Sequence, residues 1–199
     1  MNTATKQIMF LFSTILLLTA CSHNQVEKTS LTAKKQQALK LEAKKAIKTV
    51  AGALQKTLNQ KVKEGGLTNA ATFCSTNAMH LAQEVSQTLP VGVKVRRVTD
   101  KPRNALNQAN DEQLAILDEI KEKLSRGVDI DMLVKEKSSN HYQVYKPIKM
   151  VSKCLFCHGS QKVRNPNSYT IISQKYPDDK AIDYNLDDLR GMFLVDILK

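Results

Sequence analysis

Between residues 32 and 63 the apolar positions fall at 39, 43, 47, 50, 54, 58 and 62. Steps of four and three place them on one stripe of a long amphipathic helix. At 1.5 Å per residue that stripe runs about 35 Å. Gly65-Gly66 supplies a stop. A second helix is expected from Thr68, a capable N-cap, to Leu89 before Pro90, with Cys74, Ala78, Leu81, Val85 and Leu89 on its apolar face. VGVKVRRV (91–98) alternates and reads as a strand. Residues 99–109 read as a loop. A third helix is expected over 111–126, ended by Gly127, with Leu114, Leu117, Ile120 and Leu124 marking its face. Strands are expected at 141–146, interrupted by Pro147, and at 169–172 and 192–197. Helices first and short strands later predict an α+β domain with an antiparallel sheet.

Composition adds little beyond class. The 199 residues are 42% hydrophobic and 25% charged, with no Trp, as expected of one globular domain with appendages. The N-terminus is more telling. Lys6 precedes a mostly apolar run from Ile8 to Leu18, too short for a comfortable membrane span, and Leu-Thr-Ala-Cys21 follows. Residues 1–20 therefore read as a bacterial lipoprotein signal peptide, with Cys21 the acylated residue. An ordinary cleaved signal with an incidental Cys21 is the alternative. Acyl chains on Cys21 would hold the protein to a membrane. Ser22 is not an acidic inner-membrane retention signal, so a periplasm-facing outer-membrane location is expected. Residues 21–31 read as a tether and 32–199 as the domain, its core over about 64–199.

The net charge of +11 is unevenly placed. Residues 28–63 hold ten lysines and a single acid, Glu42, whereas residues 64–199 carry only +2. That basic arm suits anionic headgroups or an acidic protein partner, or is a solvated helix face. No aromatic residues interleave the lysines, which argues against nucleic acid. The stripe from Leu39 to Val62 could pack on its own domain or on a second copy in a homodimer.

The densest chemistry is Cys154-Leu-Phe-Cys157-His158. A structural zinc site needs four ligands, and only one cysteine pair exists. A thioredoxin-like dithiol needs its pair at a helix start in a βαβ unit, which the surrounding pattern does not supply. Covalent attachment of one haem c fits best. Each thiol adds across a vinyl group, and the adjacent His158 becomes an axial iron ligand. Cys74 is then the cysteine without a role: either a small buried thiol or the other axial ligand. Met79, His80, His141, Met150 and Met192 are its rivals. His80 lies six residues beyond Cys74, about 120° around the same helix, so one face does not present both.

Several ordered motifs accompany this pair: Phe73-Cys74-Ser75, VRRVTDKPRN (95–104) with Asn107, CLFCHG (154–159), YPDDKA (176–181) and Leu189-Arg-Gly191. Together, from about residue 45 onward, the chain resembles a family of exported single-haem cytochrome c domains with a PAS-like fold. Some members are free-standing cytochromes, and in others the domain is the sensory part of a signalling protein. The resemblance implies an antiparallel sheet with flanking helices, haem bonded at Cys154 and Cys157, and His158 and Cys74 as iron ligands. The stretch 182–187 departs from it, being less glycine-rich. Arg96, Arg97 and Arg103 could pair with haem propionates, but alternation sends Arg96 and Arg97 to opposite faces. Arg103-Asn104, in a Pro-containing loop, is the strongest candidate for a structural or haem-edge element. The expected function is one-electron transfer to a protein partner. Redox or gas sensing through a partner is the alternative, and thiol-disulfide exchange at Cys154/Cys157 a remote one. No residue set argues for enzymatic turnover.

Overall fold

The computed structural model describes residues 31–199. The expected signal peptide, Cys21 and most of the expected tether lie outside the described residues. Helix α1 (Ala33–Thr76) opens at Thr32, whose side chain accepts from the Lys35 N–H at 3.3 Å. It is broken at Gly65 and Gly66, where the backbone leaves helical geometry and Gly66 takes φ +69°. The expected stop is thus a kink between two helical segments. Across it, Asn69 Nδ2 donates to the Lys61 carbonyl at 3.3 Å. The second segment ends at Asn77, and α2 (Ala78–Gln87) follows. The single helix expected over 68–89 is therefore two, with Cys74 in the last turn of the first.

The sheet is four-stranded and antiparallel, in the order β1-β4-β3-β2, with β1 Val93–Val98, β2 Leu133–Ser138, β3 His141–Lys149 and β4 Leu189–Leu198. One face packs under the first segment of α1. Leu39, Ala43, Ala46 and Ile47 bury against Val93, Tyr142, Val144, Val195 and Ile197. The stripe read as a candidate dimer face is thus used within the chain over its first half. The other face is covered by α3 (Asp111–Ser125), whose Ile116, Leu117 and Ile120 meet Val98, Tyr145, Met192 and Leu194. A reciprocal cap starts α3: Asn110 Oδ1 accepts from Gln113 N–H at 3.0 Å, and Gln113 Oε1 from Asn110 N–H at 3.1 Å. Helices flanking an antiparallel sheet are the expected α+β class, consistent with a PAS-like fold. Among the described residues, no helix is long and apolar enough to cross a membrane.

Three expectations change. Residues 169–172 are not a strand but lie within α5 (Pro166–Lys175). Its start is fixed by Asn165, whose side chain accepts from the Ser168 N–H at 2.9 Å, and by Pro166 in the first turn. These terminal signals override the strand-like run Tyr-Thr-Ile-Ile. Strand β2 has no counterpart in the expected elements: its alternation is short and its outer half, Lys135-Glu-Lys-Ser138, is polar. Pro147 does not end β3, because β2 pairs only as far as Tyr145 and leaves the missing N–H no β2 partner to lose.

Gly191 sets how closely β4 approaches the end of β1. Its φ is +142°, and a Cβ there would stand 2.6 Å from the Val98 carbonyl oxygen and 2.9 Å from Thr99 Cβ. Gly191→Ala is expected to cost about 1–3 kcal/mol from backbone strain, with the clash adding to it. Urea unfolding followed by circular dichroism measures this.

Candidate functional site

Where the kinked half of α1 passes the start of β4, a cavity of about 480 Å³ opens beside the sheet. Leu67, Ala70, Ala71 and Cys74 face it from α1 at helical spacing. Cys154, Cys157 and His158 line it as well, and so do Ile148 and Met150 from the end of β3. Cys154 closes a 3₁₀ turn (Ser152–Cys154), and α4 (Leu155–His158) follows directly. This tight double turn presents both thiols and the imidazole to one space. A Cβ on Gly159 would stand 2.7 Å from the Leu155 carbonyl oxygen, so the glycine closing CLFCHG is a packing requirement.

The segment 179–184 grips this turn. The Asp183 N–H donates to the Gly159 carbonyl and the Tyr184 N–H to the His158 carbonyl, each at 3.1 Å. The imidazole is fixed by its own bond, Nδ1 to the Ala181 carbonyl at 2.7 Å. A carbonyl only accepts, so Nδ1 carries the proton and Nε2 keeps its lone pair. Burial holds the His158 pKa well below the usual histidine value, and the Arg103 and Arg190 guanidiniums push the same way. His158 is therefore a neutral ring with a free Nε2, the form that ligates a metal.

Arg103 ties the turn to its support. Nε pairs with Asp179 at 3.0 Å, and Nη2 donates to the Cys157 carbonyl at 2.8 Å and the Ala181 carbonyl at 3.3 Å. The ion pair is shielded, with side chains 12% and 1% exposed. Asp179 also accepts from the Ala181 N–H at 2.8 Å. Arg103 is thus a structural element at the cavity wall, its charge already paired. Asn104 does not line the cavity; its side chain accepts from the Leu106 N–H at 3.0 Å and caps a 3₁₀ turn.

Two of the cysteines, Cys74 and Cys157, are held as protonated thiols. Burial pushes Cys74 up, and the nearby Cys157 adds to this, against opposing pulls from Arg97 and Arg103. Burial likewise raises Cys157. Cys74 retains exposed surface where its wall opens onto the cavity. Among its rivals, Met150 lines the same cavity. His80 is exposed beside Glu84, His141 pairs with Asp196 at 2.9 Å, Met192 is enclosed by the α3 core, and Met79 lines a separate cavity. Among the described residues, no three His, Cys, Asp or Glu side chains gather as a metal cage. Every pairing in the sheet is antiparallel, unlike the βαβ setting of a thioredoxin-type dithiol. Sequence reasoning did not identify Asp179, Ala181 or Arg190 as parts of the site.

The family model described as Tll0287-like matches residues 24–197. The chain belongs to the Tll0287-like family. Its fold is similar to the crystal structure of the cyanobacterial haem protein Tll0287, with a TM-score of 0.56 and 21% identity, over 85% of this chain and 98% of that one. Comparison with curated proteins gives no match.

His158 makes the fold acid-sensitive. Its folded pKa is depressed, so its contribution to stability is full above about pH 6.5 and is lost as pH falls below that value. Urea unfolding between pH 7.5 and 5 should show this loss, and His158→Gln should flatten it.

Proposed function

We propose that the chain is a single-haem c-type protein that carries one electron at a time. The observation that carries this reading is the convergence of Cys154, Cys157, His158 and Cys74 on one cavity, with His158 Nε2 left free by the Ala181 bond. The residues present fit the group. Two thiols two residues apart suit two thioether bonds, and a neutral imidazole beside them suits one axial position. Apolar side chains of α1 offer a wall for a flat ring. No Asp or Glu lines the cavity, whereas Arg97, Arg103, Lys149, Lys153 and Arg190 do, which suits a ligand carrying carboxylates. The cyanobacterial relative's haem agrees with this assignment.

In this reading Cys154 and Cys157 would hold the haem covalently, and His158 and Cys74 would ligate its iron. The haem supplies a one-electron couple. The chain keeps His158 in one tautomer, excludes bulk water with α1 and holds the attachment turn rigid through Arg103, so little rearrangement accompanies a change of charge. The signal pattern adds an acylated Cys21 on the outer membrane and a redox protein as partner.

Protein made in a host with haem c maturation should show covalent haem on a denaturing gel. Its electron paramagnetic resonance spectrum should be low-spin and thiolate-type, and should lose that signature in Cys74→Ala. No covalent haem despite competent maturation removes the reading. An unchanged spectrum in Cys74→Ala transfers the axial position to Met150, the remaining candidate in the cavity.

Sensing is the second reading, favoured by the burial that pushes Cys74 toward the neutral thiol, a weaker ligand than a thiolate. Carbon monoxide added to the ferrous protein separates the two. A carrier leaves the visible spectrum unchanged, and a sensor changes it.

A further inference from the structure

Resting on the haem reading, we propose that Arg97 and Arg190 bind the two propionates of the haem. The cavity has five cationic side chains in its wall and no carboxylate. Two of the five are already neutralised: Arg103 by Asp179 at 3.0 Å and Lys149 by Asp129 at 3.0 Å. Lys153 stands on the 3₁₀ turn that ends at Cys154, away from the sheet wall. Arg97 and Arg190 remain.

Arg97 lies near the end of β1, at the junction of the haem cavity with a second cavity of about 650 Å³, and lines both. Among the described residues it has no hydrogen-bond or ion-pair partner. Its side chain is exposed and lines these two concave walls, and desolvation lowers its pKa. Arg190 stands at the start of β4, beside Gly191. Its Nη1 donates to Thr99 Oγ1 at 3.1 Å and to the Lys101 carbonyl at 3.2 Å, and the guanidinium lies 5.5 Å from the Tyr184 ring centroid. All these partners are neutral. Two partly desolvated guanidiniums facing one cavity without an anion are costly to hold. A pair of carboxylates removes that cost, and a guanidinium matches each one through two parallel N–H donors. Arg96, one residue away, points to the opposite face of β1 and does not line the haem cavity.

The test uses the mature haem-loaded protein, with Arg97→Gln, Arg190→Gln, Arg97→Lys and Arg96→Gln as a control. Covalent haem is counted by pyridine haemochrome, and the midpoint potential is titrated from pH 5 to 9. Loss of a cation beside the haem favours the oxidised iron, so the potential should fall in both glutamine variants. It should also become pH-dependent near neutrality, because an unpaired propionate takes up a proton more readily. Arg97→Lys should keep most of the wild-type behaviour and Arg96→Gln all of it. Covalent haem in full yield with an unchanged potential and pH profile would overturn the assignment. So would an equal shift in Arg96→Gln, which would mark a general surface-charge effect. Absence of covalent haem in the wild type would instead overturn the haem reading itself.

Discussion

The carbonyl of Ala181 is the point on which the site depends. It accepts from His158 Nδ1 and from Arg103 Nη2, while the Ala181 N–H is held by Asp179. One peptide unit in an irregular segment thus fixes the imidazole's tautomer and its orientation together. Asp179 holds both the carbonyl's own residue and the guanidinium that reaches the Cys157 carbonyl. Removing one partner from a shielded ion pair strands the other, typically at about 3–5 kcal/mol. The arrangement therefore stands or falls as a unit, and the turn bearing both thiols inherits its rigidity from it.

Around that point the fold supplies contrasting walls. The kink at Gly65-Gly66 lets a helix that first caps the sheet continue to the cavity, which Cys74 lines together with Cys157. Gly191 lets β4 close on β1 and brings Arg190 beside Thr99. The result is apolar on the α1 side and cationic on the sheet side, with the Cys74 and Cys157 thiols held protonated and a histidine held neutral. A flat apolar molecule with carboxylates at one edge and a metal at its centre meets each of these demands separately.

Much of this was legible in the chain. The three-and-four spacing of α1 was plain because its first segment lies on a core and repeats for several turns. That Cys154, Cys157 and His158 share one site was plain because the three lie within five residues. Residues 169–172 misled because β-branched and aromatic content outweighed the cap at Asn165 and the proline after it. Strand β2 was missed because an edge strand with a polar outer half leaves little alternation to read. Asp179 and Arg190 stood inside noticed motifs, but their roles are set by partners 76 and 91 residues away in sequence, which no local pattern discloses. Arg103 looked like a candidate for the haem edge, and only its contacts reveal a charge already neutralised.

The central claim is that Cys154 and Cys157 bind the haem while His158 is held ready beside them. Mass spectrometry of a proteolytic digest of protein made in a host with haem c maturation tests it most directly. The account predicts that the peptide containing residues 154–158 carries the mass of one haem and resists alkylation. The same peptide recovered with two free thiols, both alkylated by iodoacetamide, would contradict it.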